Sequence, residues 1–248
     1  MTKRMLLAVL LLIVFALPAG CQKQGGEPTQ PTAPAPTILP TPTPEPSPTP
    51  TPDPVGEALA GMTVEQKAAQ LLVAGIEGTE PGEDAVQAVQ GYQVGGVILF
   101  GRNVESAEQL AALTNGLKEL NGDYTPLFLC VDQEGGRVDR MPPEVSRTPS
   151  AWRVGQAMAR GTAGAEYGVL LAEECAAFGF NMDFAPSLDI WSNPDNTVIG
   201  DRAFGGDWEW VTDFGFRAVE AMAELGDVIP VVKHFPGHGD TAVDSHTA

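Results

Sequence analysis

The sequence predicts an α/β fold built on a parallel sheet. Three observations carry that prediction. Short apolar runs rich in β-branched residues recur at 72–76, 95–100, 126–131, 180–184 and 228–232, each of strand length. Segments of helical character separate them. Each run then ends abruptly in glycine or polar residues, as strands do where they leave a buried sheet for a loop. Alternating strands and helices pair their strands in parallel, with right-handed crossovers. Near-continuous apolar runs fit strands buried on both faces. Five β/α units are legible. Composition and spacing leave two architectures open, a (β/α)8 barrel and an open doubly wound sheet.

In chain order, residues 1–21 read as a secretory signal. Lys3 and Arg4 form a basic start and Met5–Leu17 an apolar core. Thirteen residues are too few for an easy bilayer span. Pro18-Ala19-Gly20 then places small residues before Cys21. This resembles a bacterial lipoprotein lipobox, which implies that Cys21 is the lipidated N-terminus. Leu17 stands one place further from Cys21 than the usual pattern has it. Twelve prolines and seven threonines fill the 33 positions of 22–54. Proline fixes φ and removes backbone donors, so no core or ladder is expected there. The segment reads as an extended stalk of about 3.1 Å per residue, reaching roughly 100 Å. The expected location is therefore outside the cytoplasm, lipid-anchored to a bacterial membrane.

The folded domain is expected over 55–248. Thr63-Val64-Glu65-Gln66 is a capping-box pattern opening a helix through Leu71. Leu72–Ile76 is the first strand. Pro81–Gln90 reads as helix stopped by Gly91, and Gly95–Phe100 as the second strand. Ser106-Ala107-Glu108-Gln109 is a second capping box. Its helix runs to about Leu120, with Leu110, Leu113, Leu117 and Leu120 on one stripe. Pro126–Val131 is the third strand, Thr162–Phe178 a helix, and Phe180–Phe184 the fourth strand. Trp208–Leu225 is a helix, and Val228–Val232 the fifth strand.

The net charge is −18 and the pI about 4.3. Residues 1–54 hold three basic and three acidic residues, so the whole excess lies on 55–248. Such a surface repels phosphate backbones, and nucleic-acid binding is not expected. Cys130 and Cys175 show no disulfide or metal spacing and read as buried apolar residues. No cofactor is expected, and a monomer is.

The chemistry concentrates at the ends of the predicted strands. After the fifth, Lys233 and His234 precede a loop broken by Pro236, Gly237 and Gly239. That loop carries His238, Asp240, Asp244 and His246. All three histidines fall within thirteen residues. In a loop, Asp244 can reach His246, and a carboxylate beside imidazole stabilises its charged form. Such a histidine both donates and accepts protons near neutral pH. After the third strand come Asp132-Gln133-Glu134-Gly135-Gly136-Arg137-Val138-Asp139-Arg140. A carboxylate leaving an apolar strand is costly as structure alone.

Lys-His-Phe-Pro-Gly-His-Gly at 233–239, followed by Asp244-Ser245-His246, resembles glycoside hydrolase family 3, in its β-N-acetylhexosaminidase branch. Met62–Leu71, 131–140, 184–189 and 198–205 resemble segments of the same family. The resemblance implies a (β/α)8 barrel and decides between the two architectures. It implies a retaining hydrolase that removes terminal β-linked N-acetylglucosamine from cell-wall-type glycans. It also implies roles: Asp132, Arg140, Arg202, Lys233 and His234 bind the sugar, and Asp244 with His246 forms the acid/base dyad. The nucleophile implied is an Asp beyond position 248. Glu134 and Arg137 are expected to pair with each other or brace their loop. Asp189, Asn193 and His238 are expected to hold loops, and Asp240 is unassigned. If Arg202 is structural instead, its expected partner is Asp201 or Asp189.

Eight β/α units need about 250 residues, and 55–248 offers 194. A barrel truncated after about five units is therefore expected. Three other readings stay open. One is a metallohydrolase using His234, His238, Asp240, Asp244 and His246. One is a non-catalytic glycan-binding lipoprotein. The last is a phosphorylase of the same glycosides.

Overall fold

The computed structural model describes residues 53–157 and 162–244. The signal segment with Cys21, most of the stalk, and His246 lie outside the described residues. Five strands form one parallel sheet: β1 (Val73–Gly75), β2 (Gly96–Leu99), β3 (Phe128–Val131), β4 (Met182–Asp183) and β5 (Ile229–Pro230). Their order in the sheet is their order in the chain. A doubly wound sheet starts in the middle and reverses direction. An unreversed order is the wall of a (β/α)8 barrel. The register aligns Val131 with Asp183 and Asp183 with Pro230. The segments leaving β3, β4 and β5 therefore emerge side by side.

Local chemistry sets the helix ends. The box at Thr63 is complete: its hydroxyl accepts from Gln66 N, and Gln66 Oε1 accepts from Thr63 N. It opens α2 (Val64–Ala69). The box at Ser106 is only half made. Ser106 Oγ accepts from Gln109 N, but the Gln109 side chain accepts from Glu105 N instead. Its amide donates to Thr79 O and Asn103 O. The helix that follows, α4 (Ala107–Asn121), buries Leu110, Leu113 and Leu117 as the stripe predicts, with Leu120 half-buried. Asp207 caps α7 (Trp208–Leu225), and Gly226 ends it at φ 77°.

Some expectations need correction. The strands are shorter than their apolar runs. The outer strands are not buried on both faces: Val73 and Ile229 are exposed, because each outer strand has a sheet neighbour on one side only. The helix expected over Pro81–Gln90 is a short α3 (Glu83–Val86) running into a wider π turn at Gln87–Tyr92. The chain turns away at Gln93, in left-handed geometry, and not at Gly91. Two short helices were not expected, α1 (Pro54–Gly61) and α5 (Ala151–Gly155). In α1, Asp53 caps a helix with proline at its first position, where the missing N–H costs nothing.

The core lies between the sheet and α4, α6 (Ala163–Ala177) and α7. Cys130 and Cys175 are buried in it or beside it, with free thiols. Helices α6 and α7 pack very closely. A Cβ on Gly168 would stand 2.2 Å from Ala218 O, so only glycine fits that crossing.

Candidate active site

The loop leaving β3 places its side chains by extended-chain alternation. Asp132 and Glu134 point to one side and meet Lys233 from the β5 exit. Gln133 points to the other side, toward α6. Two glycines then turn the chain at φ 70° and 58°. A Cβ at Gly135 would lie 2.6 Å from Pro149 O, and one at Gly136 2.5 Å from Ser150 Cβ. This glycine turn separates Glu134 from Arg137, and the expected pair between them does not form. Arg137 turns to Asp201 at 3.1 Å and donates to the carbonyls of Thr197, Val198 and Ile199. It thereby braces the turn that carries Arg202.

Glu134 is the hub. Its side chain is 2% exposed and faces two cations. Lys233 Nζ lies 2.6 Å from Asp132 Oδ1 and 2.5 Å from Glu134 Oε1. Arg202 forks onto the same carboxylate, Nε to Oε2 at 2.7 Å and Nη2 to Oε1 at 2.8 Å. Arg202 thus pairs with neither Asp201 nor Asp189. Burial alone would raise the Glu134 carboxyl, but the Arg202 hydrogen bonds and the charges of Lys233 and Arg202 outweigh it. The group is held below the usual carboxylate range. Burial works against the Arg202 charge too, and Glu134 more than compensates, pushing the guanidinium up.

The contacts continue into the β5 exit loop. Arg202 Nη2 lies 3.3 Å from His234 Nε2, and His234 Nδ1 lies 2.5 Å from Asp189 Oδ2. A guanidinium N–H can only donate. Nε2 must therefore offer its lone pair to Arg202, and Nδ1 carries the proton given to Asp189. Asp189 also accepts from Ser187 Oγ at 3.0 Å and from His238 N at 2.5 Å. Burial would raise its carboxyl, but the bonds from His234 and His238 hold it below the usual range. Asp189 therefore fixes both the ring orientation of His234 and the start of the loop that leads to Asp244. His238 closes that loop through Thr241 Oγ1 at 2.7 Å, and Asn193 donates to Thr241 O. Asp240 accepts from Ser192 Oγ.

Asp132, Arg202, Lys233 and His234 thus come together, and Glu134 and Asp189 tie them into one network. Arg140 is not bonded into it. Its side chain lies beside Gly101 at the β2 exit, with a buried Nε that makes no hydrogen bond among the described residues. Asp244 is half-buried near the end of the described residues, and its partner His246 lies outside them. The hub role of Glu134 escaped sequence reasoning. Its two-residue spacing from Asp132 was the available signal, since both must face the same side. Among the described residues no three His, Cys, Asp or Glu side chains converge as a metal site would require.

A cavity of about 520 Å³ opens on the β5 side of the network. Asp189, Ser192, Lys233, His234 and Asp240 form its polar wall, and Ile190, Phe235 and Pro236 part of its apolar one. Asp132 and Arg202 are not in that wall. Lys233 has three N–H donors and spends two on carboxylates. Asp132 keeps its second oxygen, Oδ2. The site is thus a fixed array of donors and acceptors suited to hydroxyl groups.

Beneath the network lies Asp183, fully buried at the end of β4. Its Oδ1 accepts from Gln133 N at 2.9 Å, and its Oδ2 makes no hydrogen bond among the described residues. Burial pushes its carboxyl well above the usual range. A group raised on folding favours the folded state where it is protonated. The unfolded chain starts to ionise it near pH 3.9, so stability falls as pH rises from there. Asp183→Asn keeps the acceptor for Gln133 and removes the titration. In urea unfolding the variant should gain on the wild type as pH rises above about 4. Parallel pH profiles would refute the assignment.

Residues 63–248 match the Glycosyl hydrolase family 3 N terminal domain. A beta-hexosaminidase A of Pseudoalteromonas piscicida is 39% identical over 172 residues, 65% of this chain and 28% of that protein. The structure of a glycoside hydrolase family 3 beta-N-acetylglucosaminidase from a Paenibacillus species superposes with a TM-score of 0.70 at 42% identity. The match covers 75% of this chain and 35% of the other. NagZ from Neisseria gonorrhoeae, solved in complex with N-trifluoroacetyl-D-glucosamine, superposes with a TM-score of 0.64 at 36% identity, over 71% of this chain and 53% of that one. The chain thus spans between about a quarter and about half the length of these proteins. With the matched domain covering most of the chain and a barrel-type sheet beneath it, the protein belongs to glycosyl hydrolase family 3 through its N-terminal domain.

Proposed function

We propose that this chain supplies the sugar-binding wall of a retaining β-N-acetylhexosaminidase, acting on terminal N-acetylglucosamine in cell-wall-type glycans. The observation that carries the reading is the unbroken run of contacts Asp132–Lys233–Glu134–Arg202–His234–Asp189 across three neighbouring strand exits. It fixes donors and acceptors before any ligand arrives, which is how a site gains affinity for a polyol without ordering costs. The N-acetylated glucosamine analogue named with the Neisseria relative supports the same ligand class.

Asp132, Arg140, Arg202, Lys233 and His234 hold the sugar in this reading. His246, with Asp244 beside it, protonates the departing glycosidic oxygen while a carboxylate nucleophile bonds to the anomeric carbon. His246 then takes a proton from the water that attacks that carbon and releases the carboxylate. The nucleophile in this reading is an Asp that is assigned to none of these 248 residues. Lipidation at Cys21 and the 22–54 stalk would hold the enzyme outside the cytoplasm, a reading supported by the sequence pattern alone.

In the whole protein, His246→Ala should slow cleavage of a chromogenic N-acetyl-β-glucosaminide by about 10²–10⁴-fold, the usual worth of a general acid/base. An unchanged rate would remove the dyad. Running the reaction with and without phosphate separates free sugar from sugar 1-phosphate, hence hydrolase from phosphorylase.

A further inference from the structure

On the side of the β3 exit loop away from Lys233 lies a second polar cluster, fully enclosed. Gln133 is wholly buried, Thr148 and Glu174 nearly so. Gln133 Nε2 donates to Glu174 Oε2 at 2.8 Å, and Thr148 Oγ1 donates to Glu174 Oε1 at 2.6 Å. Gln133 Oε1 accepts from Arg140 N at 2.7 Å. One amide side chain therefore spans the whole turn. It ties the backbone beside Asp132 to the backbone of Arg140, seven residues on, and anchors both to α6. Tyr167 OH, also on α6, donates to Glu134 O. Buried polar groups of this kind are costly unless every member is satisfied. Nothing in the network of Lys233, Arg202 and His234 requires Glu174 at all.

We infer that Gln133 and Glu174 form a positioning pair, which sets the distance and angle between Asp132 and Arg140 across the sugar site. This rests on the sugar-binding reading of those two residues. The pair works because the donor faces an acceptor with no freedom to turn. Glu174 accepts on both oxygens, and Gln133 donates on one end and accepts on the other.

The hydrogen-bond pattern makes the test directional. In Gln133→Glu two carboxyl groups would face each other across the same gap. At a pH high enough to ionise both, neither can donate and the loop must move. In Glu174→Gln the Thr148 hydroxyl can reverse and accept from the new amide, so this change should be mild. In the double exchange Gln133→Glu with Glu174→Gln, residue 174 donates, residue 133 accepts, Thr148 donates as before, and Arg140 N keeps its acceptor. Binding of N-acetylglucosamine to the chain is measured by calorimetry. Gln133→Glu should weaken it by roughly tenfold or more, the worth of one charged hydrogen bond. The double exchange should return to within about threefold of wild type. A loss caused by the charge or size of residue 133 alone would not be restored, because the double exchange keeps Glu at position 133.

Wild-type affinity in Gln133→Glu, or a double exchange as weak as the single, overturns the pairing. If the wild type binds no sugar, the sugar-binding reading falls. The pairing is then decided by hydrogen exchange at the Arg140 amide. Protection lost in the single variant and regained in the double supports it, and unchanged protection overturns it. Should Gln133→Glu fail to fold, Gln133→Met keeps the length and deletes the bridge. It must then lose affinity or Arg140 amide protection, and retention of both overturns the inference.

Discussion

Glu134→Gln should abolish measurable sugar binding and destabilise the chain by about 3–5 kcal/mol, the usual result of removing one partner from a buried ion pair. The substitution is isosteric, so the loss comes from charge and hydrogen-bond direction alone. Glu134 receives donors on both oxygens: Arg202 Nε on Oε2, and Arg202 Nη2 with Lys233 Nζ on Oε1. Glutamine has one oxygen. Whichever way its amide turns, an NH2 group faces a cation that can only donate. Two positive groups are then left close together without the carboxylate that joined them, and only Asp132 and Asp189 nearby offset their charge. The pH dependence gives an independent check. The Glu134 carboxyl is lowered on folding, so its stabilisation is present above the ordinary carboxylate range and is lost as pH falls through the folded value. Urea unfolding should therefore show less acid loss in the variant than in the wild type. A variant that binds N-acetylglucosamine normally, with an unmoved unfolding midpoint, would show that Lys233 and Arg202 do not depend on Glu134.

Glu134 also marks the boundary of what the sequence could tell. Helix α7 was legible to the residue, because what bounds it is local: Asp207 caps it and Gly226 stops it. The strands were legible because apolar runs alternate with helices, but their order was not. Alternation fits a barrel and a doubly wound sheet alike, and only the family resemblance chose the unreversed order. Asp132, Lys233 and His234 were legible as neighbours because strand ends of one sheet lie on one rim, whereas Arg202, well past the end of β4, entered only through the family resemblance. What stayed hidden depends on distant partners. Arg202 lies 68 residues from Glu134, and spacing along a chain says nothing about which carboxylate a guanidinium meets. A pair with the near neighbour Arg137 was one of two expectations, and the glycine turn at 135–136 is what separates them. The π turn at Gln87–Tyr92 was hidden for a related reason. Its hydrogen-bond pattern differs from an α-helix by a single residue of pitch, and the apolar periodicity is too short to register it. The network under the β3 loop was hidden because Gln133 and Glu174 look like ordinary surface residues until their neighbours are known.

Asp189→Asn tests the other end of the contact chain, and it should weaken sugar binding by roughly a hundredfold, since two charge-assisted hydrogen bonds are disturbed together. Asp189 accepts on both sides, from His238 N on Oδ1 and from His234 Nδ1 and Ser187 Oγ on Oδ2. Asparagine cannot satisfy both. If its oxygen stays on His238 N, its NH2 group meets His234 Nδ1, and the imidazole must move its proton to Nε2. That proton then points at Arg202 Nη2, donor against donor. If the amide turns the other way, the loop that carries Asp244 loses its anchor at the His238 amide. The first outcome leaves a signature that lost affinity alone does not. The nitrogen shifts of His234 should change from the Nδ1–H to the Nε2–H pattern while the fold is kept. The second should appear instead as loss of amide protection at His238. A variant with wild-type affinity, an unchanged His234 tautomer and a protected His238 amide would mean that neither the ring nor the loop is set by Asp189. His234 would then lose its place as a pre-oriented acceptor in the site.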